Sequence, residues 1–211
     1  MRSRVAPFCL FFSPDDFDGH QKGLFCQTFM VDPKMNLISP DLRKRFEEMR
    51  HQLSSMTMKV DTLSTNKADV RLIMDQCSEA NVRGFTLVQD EPESVGGTGK
   101  GSTPTDYFIA IAGFCENVIL ARNASIANLT IDSLETTVTG TWDRRGLFDI
   151  DGVRPNFKTI AVDAKITTKD TIQKVVEVAN QTHRRCPVHA TLSQATQMIF
   201  RLNVNGANVP L

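Results

Sequence analysis

Cys186 stands directly before Pro187 and is flanked by His183, Arg184, Arg185 and His189. A proline after a long patterned segment opens a new helix, and a helix N-terminus beside cations stabilises a thiolate. The thiol pKa of Cys186 is therefore predicted to fall and its nucleophilicity at neutral pH to rise. Cys115 sits in different company, inside a run carrying Phe108, Ile109, Ile111, Phe114, Val118, Ile119 and Leu120. Free cysteine is among the most buried residue types, so by itself Cys115 reads as a small packed hydrophobe. Residue chemistry alone makes Cys186 the stronger nucleophile.

Other chemistries have less support. His183, Cys186 and His189 suggest a metal site, but no matching pair at ligand spacing accompanies them, so no metal is expected. Gly96-Gly97-Thr98-Gly99-Lys100-Gly101 looks like a phosphate-cradling loop, yet Ser94 occupies the required first glycine position and Gly101 the magnesium-binding hydroxyl position. No serine sits in a Gly-x-Ser-x-Gly elbow. The charges balance, 24 basic against 24 acidic residues, which leaves no overall field to attract nucleic acid or an anionic membrane. The five cysteines, Cys9, Cys26, Cys77, Cys115 and Cys186, are odd in number and irregularly spaced, unlike a secreted disulfide framework. With no convincing signal peptide and no transmembrane run, a cytoplasmic location and chemically used thiols are expected.

The elements that must position these thiols can be read in order. Residues 1–38 show neither a period of 2 nor of 3.6 and read as an irregular N-terminal extension, its first 34 residues dispensable for folding. Residues 39–56 read as an amphipathic helix: Ser39-Pro40-Asp41 form its start, and Leu42, Phe46, Met49 and Leu53 its apolar stripe. Thr57–Ser64, Ala68–Cys77 and Val82–Asp90 read as an antiparallel meander, separated by Thr65-Asn66-Lys67 and Ser78–Asn81. A glycine-rich connection to Thr103 follows. The apolar run from Pro104 to about Arg122 is predicted to be a helix buried on nearly every side. Leu129–Trp142 and Phe157–Thr167 read as strands, the second alternating cleanly. Thr168 caps a helix with Ile172, Val175, Val176 and Ala179 on its buried stripe; Cys186-Pro187 breaks it and opens another, and Met198–Val204 is a last strand. Such an order argues for an α+β domain over residues 57–211, with a mainly antiparallel sheet and a buried central helix.

Several of these segments carry a resemblance. Val82 to Pro92, Gly96-Gly97, Thr103-Pro104-Thr105-Asp106-Tyr107-Phe108 and Ala112-Gly113-Phe114-Cys115 resemble the central signature of the osmotically inducible protein C / organic hydroperoxide resistance (OsmC/Ohr) family. Trp142-Asp143-Arg144-Arg145-Gly146, Val153-Arg154-Pro155 and Phe157 resemble a subgroup's strand-turn segment, and Cys186-Pro187-Val188 its second cysteine motif. The match runs from about residue 57 to 205, and the order and spacing of the pieces are more specific than any one of them.

The resemblance implies an OsmC-like fold, an interleaved homodimer, and a thiol peroxidase serving oxidative or osmotic stress defence. By it, Cys115 attacks an organic hydroperoxide as a thiolate and becomes a sulfenic acid, which Cys186 resolves to a disulfide. An external dithiol supplies the electrons, and no bound cofactor is required. The roles thus reverse the ranking given by local electrostatics. Asp106 matches the family's activating acid, yet Thr103-Pro104-Thr105-Asp106 equally has the spacing of a capping box. On one straight helix Asp106 and Cys115 are about 13 Å apart, so the acid needs a helix break or another subunit to reach the thiol. Arg71 and Arg83 are the candidates for an activating arginine. The alternative reading is a non-catalytic family member that binds a small apolar ligand in a pocket lined by the cysteines.

Overall fold

The computed structural model describes residues 36–56, 62–194, 198–199, 201–204 and 207–209, and residues from Asn36 onward form one compact unit. Cys9 and Cys26, the extension before Asn36 and most of the expected strand at Thr57–Ser64 lie outside the described residues.

Helix α1 (Pro40–Ser55) begins with its proline in the first turn, where no backbone donor is lost. Its stripe is only half used. Leu42 and Phe46 are half-buried, Arg122 stacks over the Phe46 ring at 5.1 Å, and Met49 and Leu53 remain exposed. The residues before it, expected to be part of an irregular extension, are anchored instead. Leu37 donates to the carbonyl of Ile131 at 2.8 Å, the Asn36 side chain accepts from the backbone of Ile131 and of Ile38, and Ile38 is buried.

Strands β1 (Asp69–Met74), β2 (Cys77–Val82) and β3 (Phe85–Gln89) form the antiparallel meander, but with different boundaries from those expected. Ser78–Asn81, read as a separator, is the middle strand. The turns fall at Asp75-Gln76 and Arg83-Gly84, where Asp75, Arg83 and Gly84 take positive φ of 49°, 54° and 86°. Positive φ at both central residues gives the hairpin twist that matches paired strands, so Arg83-Gly84 closes the β2–β3 hairpin in two residues. Polarity alone misplaced β2, because Ser78, Glu79 and Asn81 look like loop residues while pairing across the sheet.

The glycine-rich connection after β3 is organised by Asp90. Its carboxylate is buried and accepts from the backbone of Glu91, Thr98 and Lys100 and from the Thr98 hydroxyl at 2.6 Å. The Thr98 hydroxyl, with the backbone donors, holds the Asp90 carboxyl below the usual carboxylate range, against the effect of burial. Gly97 is required here: a Cβ would stand 1.8 Å from the Glu91 carbonyl oxygen. The loop wraps a carboxylate of its own chain.

Helix α2 (Pro104–Ile126) runs unbroken for 23 residues and is the axis of the fold. It packs on β4 (Ser133–Trp142), α3 (Ile172–Arg185), α4 (Pro187–Leu192) and α1. By length and composition it is apolar enough to cross a membrane, with mean hydropathy 1.2. Burial of its lower half among the chain's own elements accounts for that composition equally. The core gathers Ile38, Leu120, Ala124, Leu129, Ile131 and Val178. Within the single chain α2 is not covered on every side: Ile111, Phe114 and Val118 form an exposed apolar stripe.

β4 pairs antiparallel with β5 (Phe157–Thr167), and on β5 Ile160, Val162 and Ile166 turn inward as the alternation predicted. The α3 cap is Thr171, whose hydroxyl accepts from Lys174, while Thr168 binds the Thr130 carbonyl outside the helix. The buried stripe of α3 is correspondingly shifted to Val178 and Thr182, with Val175 and Ala179 half-buried and Ile172 and Val176 exposed. Cys186 ends α3 and caps α4, as its proline required. The last expected strand is half of a hairpin, β6 (Leu202–Val204) with β7 (Ala207–Val209). Among the described residues the strands thus form three antiparallel sheets, with α2 between the first two in sequence.

Candidate functional site

About three turns into α2, Cys115 and Glu116 meet the α3–α4 junction. Cys115 is half-buried and Cys186 has no exposed surface. Both are free thiols, and across the α2–α4 contact the Cys115 side chain acts electrostatically on the Cys186 thiol. Two cysteines 71 residues apart in the sequence are thereby brought to one contact.

The electrostatics of Cys186 run opposite to the expectation drawn from its neighbours. The thiol pKa is pushed up from 9.0 to about 11. Burial is the largest cause; the His189 backbone N–H, which donates to the Cys186 Sγ at 3.4 Å as a helix cap, acts the other way. Proximity to Cys115 and to the Glu116 charge raises it further. The cations that sequence placed beside it point elsewhere: Arg185 donates to the Asn123 side chain at 3.1 Å, and Arg184 is exposed. Sequence adjacency on α3 does not translate into contact, because the chain turns sharply at Cys186-Pro187.

Glu116 is the functional candidate that sequence reading missed. It is 5% exposed, immediately follows Cys115, and its Oε1 lies 3.0 Å from the Nδ1 of His189 and 3.5 Å from the Nδ1 of His183. The available signal was a lone carboxylate inside an otherwise apolar helical run. These three residues border a cavity of about 350 Å³, completed by Ala112, Phe157 to Ile160, Val162, Leu192 and Ser193. Ring stacking of Phe108 on Phe157, centroids 5.2 Å apart, fixes the β5 wall against α2.

Asp106 is engaged at the other end of the helix. Its Oδ2 accepts from the Thr103 backbone at 3.1 Å while the Thr103 hydroxyl accepts from its backbone at 3.2 Å, a complete capping box. Because α2 has no break, Asp106 stays about 13 Å along the axis from Cys115 within one chain. Arg71 pairs across β1 and β2 with Glu79 at 3.3 Å on an exposed face, and Arg83 occupies the hairpin turn. The single chain brings the two thiols together with Glu116, His183 and His189. It does not gather Asp106 with them along its own helix.

The family model described as OsmC-like protein matches residues 97–201. A comparison with curated proteins finds no match. Among solved structures, an OsmC-like protein from Mycoplasma pneumoniae is similar at 21% identity and a TM-score of 0.55, the match covering 62% of this chain and 88% of that one. An OsmC-like protein of unknown function from Vibrio cholerae O1 biovar eltor gives 12% identity and a TM-score of 0.51 over 61% of this chain and 94% of its own. A hypothetical protein from Aquifex aeolicus gives 11% and 0.51 over 62% and 89%. At these identities the structures speak for the fold, and the matched span includes α2, both cysteines and the α3–α4 junction. Residues 97–201 are therefore an OsmC-like domain, set in a chain with an OsmC-like fold.

Proposed function

We propose that this protein is a cysteine-based peroxidase that reduces organic hydroperoxides through Cys115 and Cys186. The observation that carries the reading is a partly exposed thiol on α2 that acts electrostatically on a fully buried one at the start of α4. Peroxide reaches Cys115 and not Cys186, and a thiol whose pKa lies near 11 is protonated at neutral pH and a poor first nucleophile. Attack by the Cys115 thiolate on the peroxide O–O bond forms the sulfenic acid and releases an alcohol. Cys186 then attacks that sulfur, expelling water and forming the disulfide, and an external dithiol restores both thiols. Sulfenic acid formation next to the Cys186 thiol gives the second step a nearby partner.

The homodimer enters here as a proposal. The exposed stripe of Ile111, Phe114 and Val118 is apolar enough to need a cover, which a second copy of the chain laid on it would supply. Single-turnover measurement with cumene hydroperoxide tests the chemistry. Cys115→Ser is expected to consume no peroxide. Cys186→Ser is expected to consume about one equivalent and accumulate a sulfenic acid at Cys115 that a dimedone-type probe traps. The reverse pattern would exchange the roles, and parent-like consumption by both variants would favour a ligand-binding module instead.

A further inference from the structure

The geometry points to a divalent transition-metal site, of the zinc class, formed by Glu116, His183 and His189. Their donor atoms all lie within 4.8 Å of one another. They come from three elements: the carboxylate from α2, one imidazole from the last turn of α3 and the other from α4. Along the sequence no pair at ligand spacing matches His183 and His189. The missing donor is supplied from 67 and 73 residues away.

Zinc binds imidazole nitrogen and carboxylate oxygen at about 2.0–2.2 Å, so two donors of one tetrahedral ion stand about 3.3–3.5 Å apart. The two separations from Glu116 Oε1, 3.0 and 3.5 Å, bracket that edge. Both imidazoles aim the same nitrogen, Nδ1, at the same carboxylate oxygen, and their rings tilt 35° with centroids 5.2 Å apart. Among the described residues no lysine or arginine pairs with Glu116, and the two imidazoles are its side-chain partners. A carboxylate this buried is retained where it is paired or coordinates a metal. A cation between the three donors neutralises it without an added cationic side chain.

The donor set of two imidazoles and one carboxylate leaves a position open, the arrangement of zinc that binds an exchangeable ligand, not of a closed structural site. The open side is the cavity of about 350 Å³, where Lys158, Thr159 and Ser193 also stand, and an oxygen ligand such as water fits there. The thiols are not members of the cluster, which separates this site from the redox pair in both chemistry and test.

Zinc titration of the full reduced chain by calorimetry provides the test, run in parallel on a Cys115→Ser/Cys186→Ser variant. Both are expected to bind one equivalent with the same affinity. His183→Ala and His189→Ala, whose side chains are half exposed, are each expected to weaken binding by more than the roughly 10–100-fold that loss of an outer-shell partner costs. Unchanged circular dichroism and melting of the two variants separate lost ligation from lost folding. Cobalt substituted at the site is expected to give visible d–d bands without a thiolate charge-transfer band. Absence of stoichiometric zinc binding, binding undiminished in both histidine variants, or cobalt spectra showing thiolate ligation would each overturn the assignment. None of these readouts depends on peroxidase activity.

Discussion

The two sides of α2 differ in what they carry and in what covers them. The side facing α3, α4 and β4 buries Ala112, Glu116, Ile119, Leu120 and Asn123, and its polar groups all have partners: Glu116 meets two imidazoles, Asn123 donates to Thr182 at 3.2 Å and accepts from Arg185, and Asn117 accepts from Thr136. Gly113 allows the close approach to β4, since a Cβ there would stand 3.1 Å from Val138. The stripe of Ile111, Phe114 and Val118, with Phe114 68% exposed, is left uncovered by the chain. Polar groups buried by the chain itself must find partners within it, whereas an uncovered face can stay wholly apolar. The same helix is therefore a site on one side and an unpartnered surface on the other.

Cutting into the covered side has the largest expected effect on stability. Leu120→Ala removes a buried side chain from the core and is expected to cost about 2–5 kcal/mol in urea unfolding. A cost below about 1 kcal/mol would mean that the covered side is not packed as described. Phe114→Asp on the other side is expected to leave the fold intact by circular dichroism but to convert a dimer to a monomer in light scattering. A parent protein that is already monomeric would break that half of the comparison.

A smaller effect concerns pH. The Cys186 thiol has a pKa raised from 9.0 to about 11 on folding, so its contribution to stability is complete below pH 9 and is lost as pH rises toward about 11. The reduced protein is expected to lose stability over that window, and Cys186→Ser to flatten the loss, read as urea midpoints at pH 7.5, 9 and 10.5. An identical alkaline slope in both proteins would show that this thiol is not shielded. The smallest effect is expected from deleting residues 1–34, which leaves every contact described above in place and should not move the unfolding midpoint. Deleting through residue 38 should, because it removes the Asn36 and Leu37 bonds to Ile131 and the buried Ile38, the latter worth about 1.5–3 kcal/mol.

Much of the fold was legible along the chain. The start of α1 at Ser39-Pro40, the alternation on β5 and the break at Cys186-Pro187 all follow from local rules that act within a few residues. Errors arose where polarity stood in for pairing. The strand Cys77–Val82 was hidden because its residues gain their place from neighbours on both sides, and the α3 cap moved from Thr168 to Thr171 because Thr168 is held by the Thr130 carbonyl, 38 residues away.

By itself the sequence determined the two cysteines as the residues to watch, the apolar helix that carries one of them, and the proline that turns the chain at the other. Only the tertiary structure decided their environment. It buried Cys186 beside Glu116 and away from its neighbouring arginines, raising the pKa that adjacency suggested would fall. It also drew a carboxylate from α2 to two histidines beyond it in the chain. The physical reason is range. Caps, turns and periodicity act through the nearest few residues, while desolvation and charge act through whatever the fold places within a few ångströms, however distant in sequence.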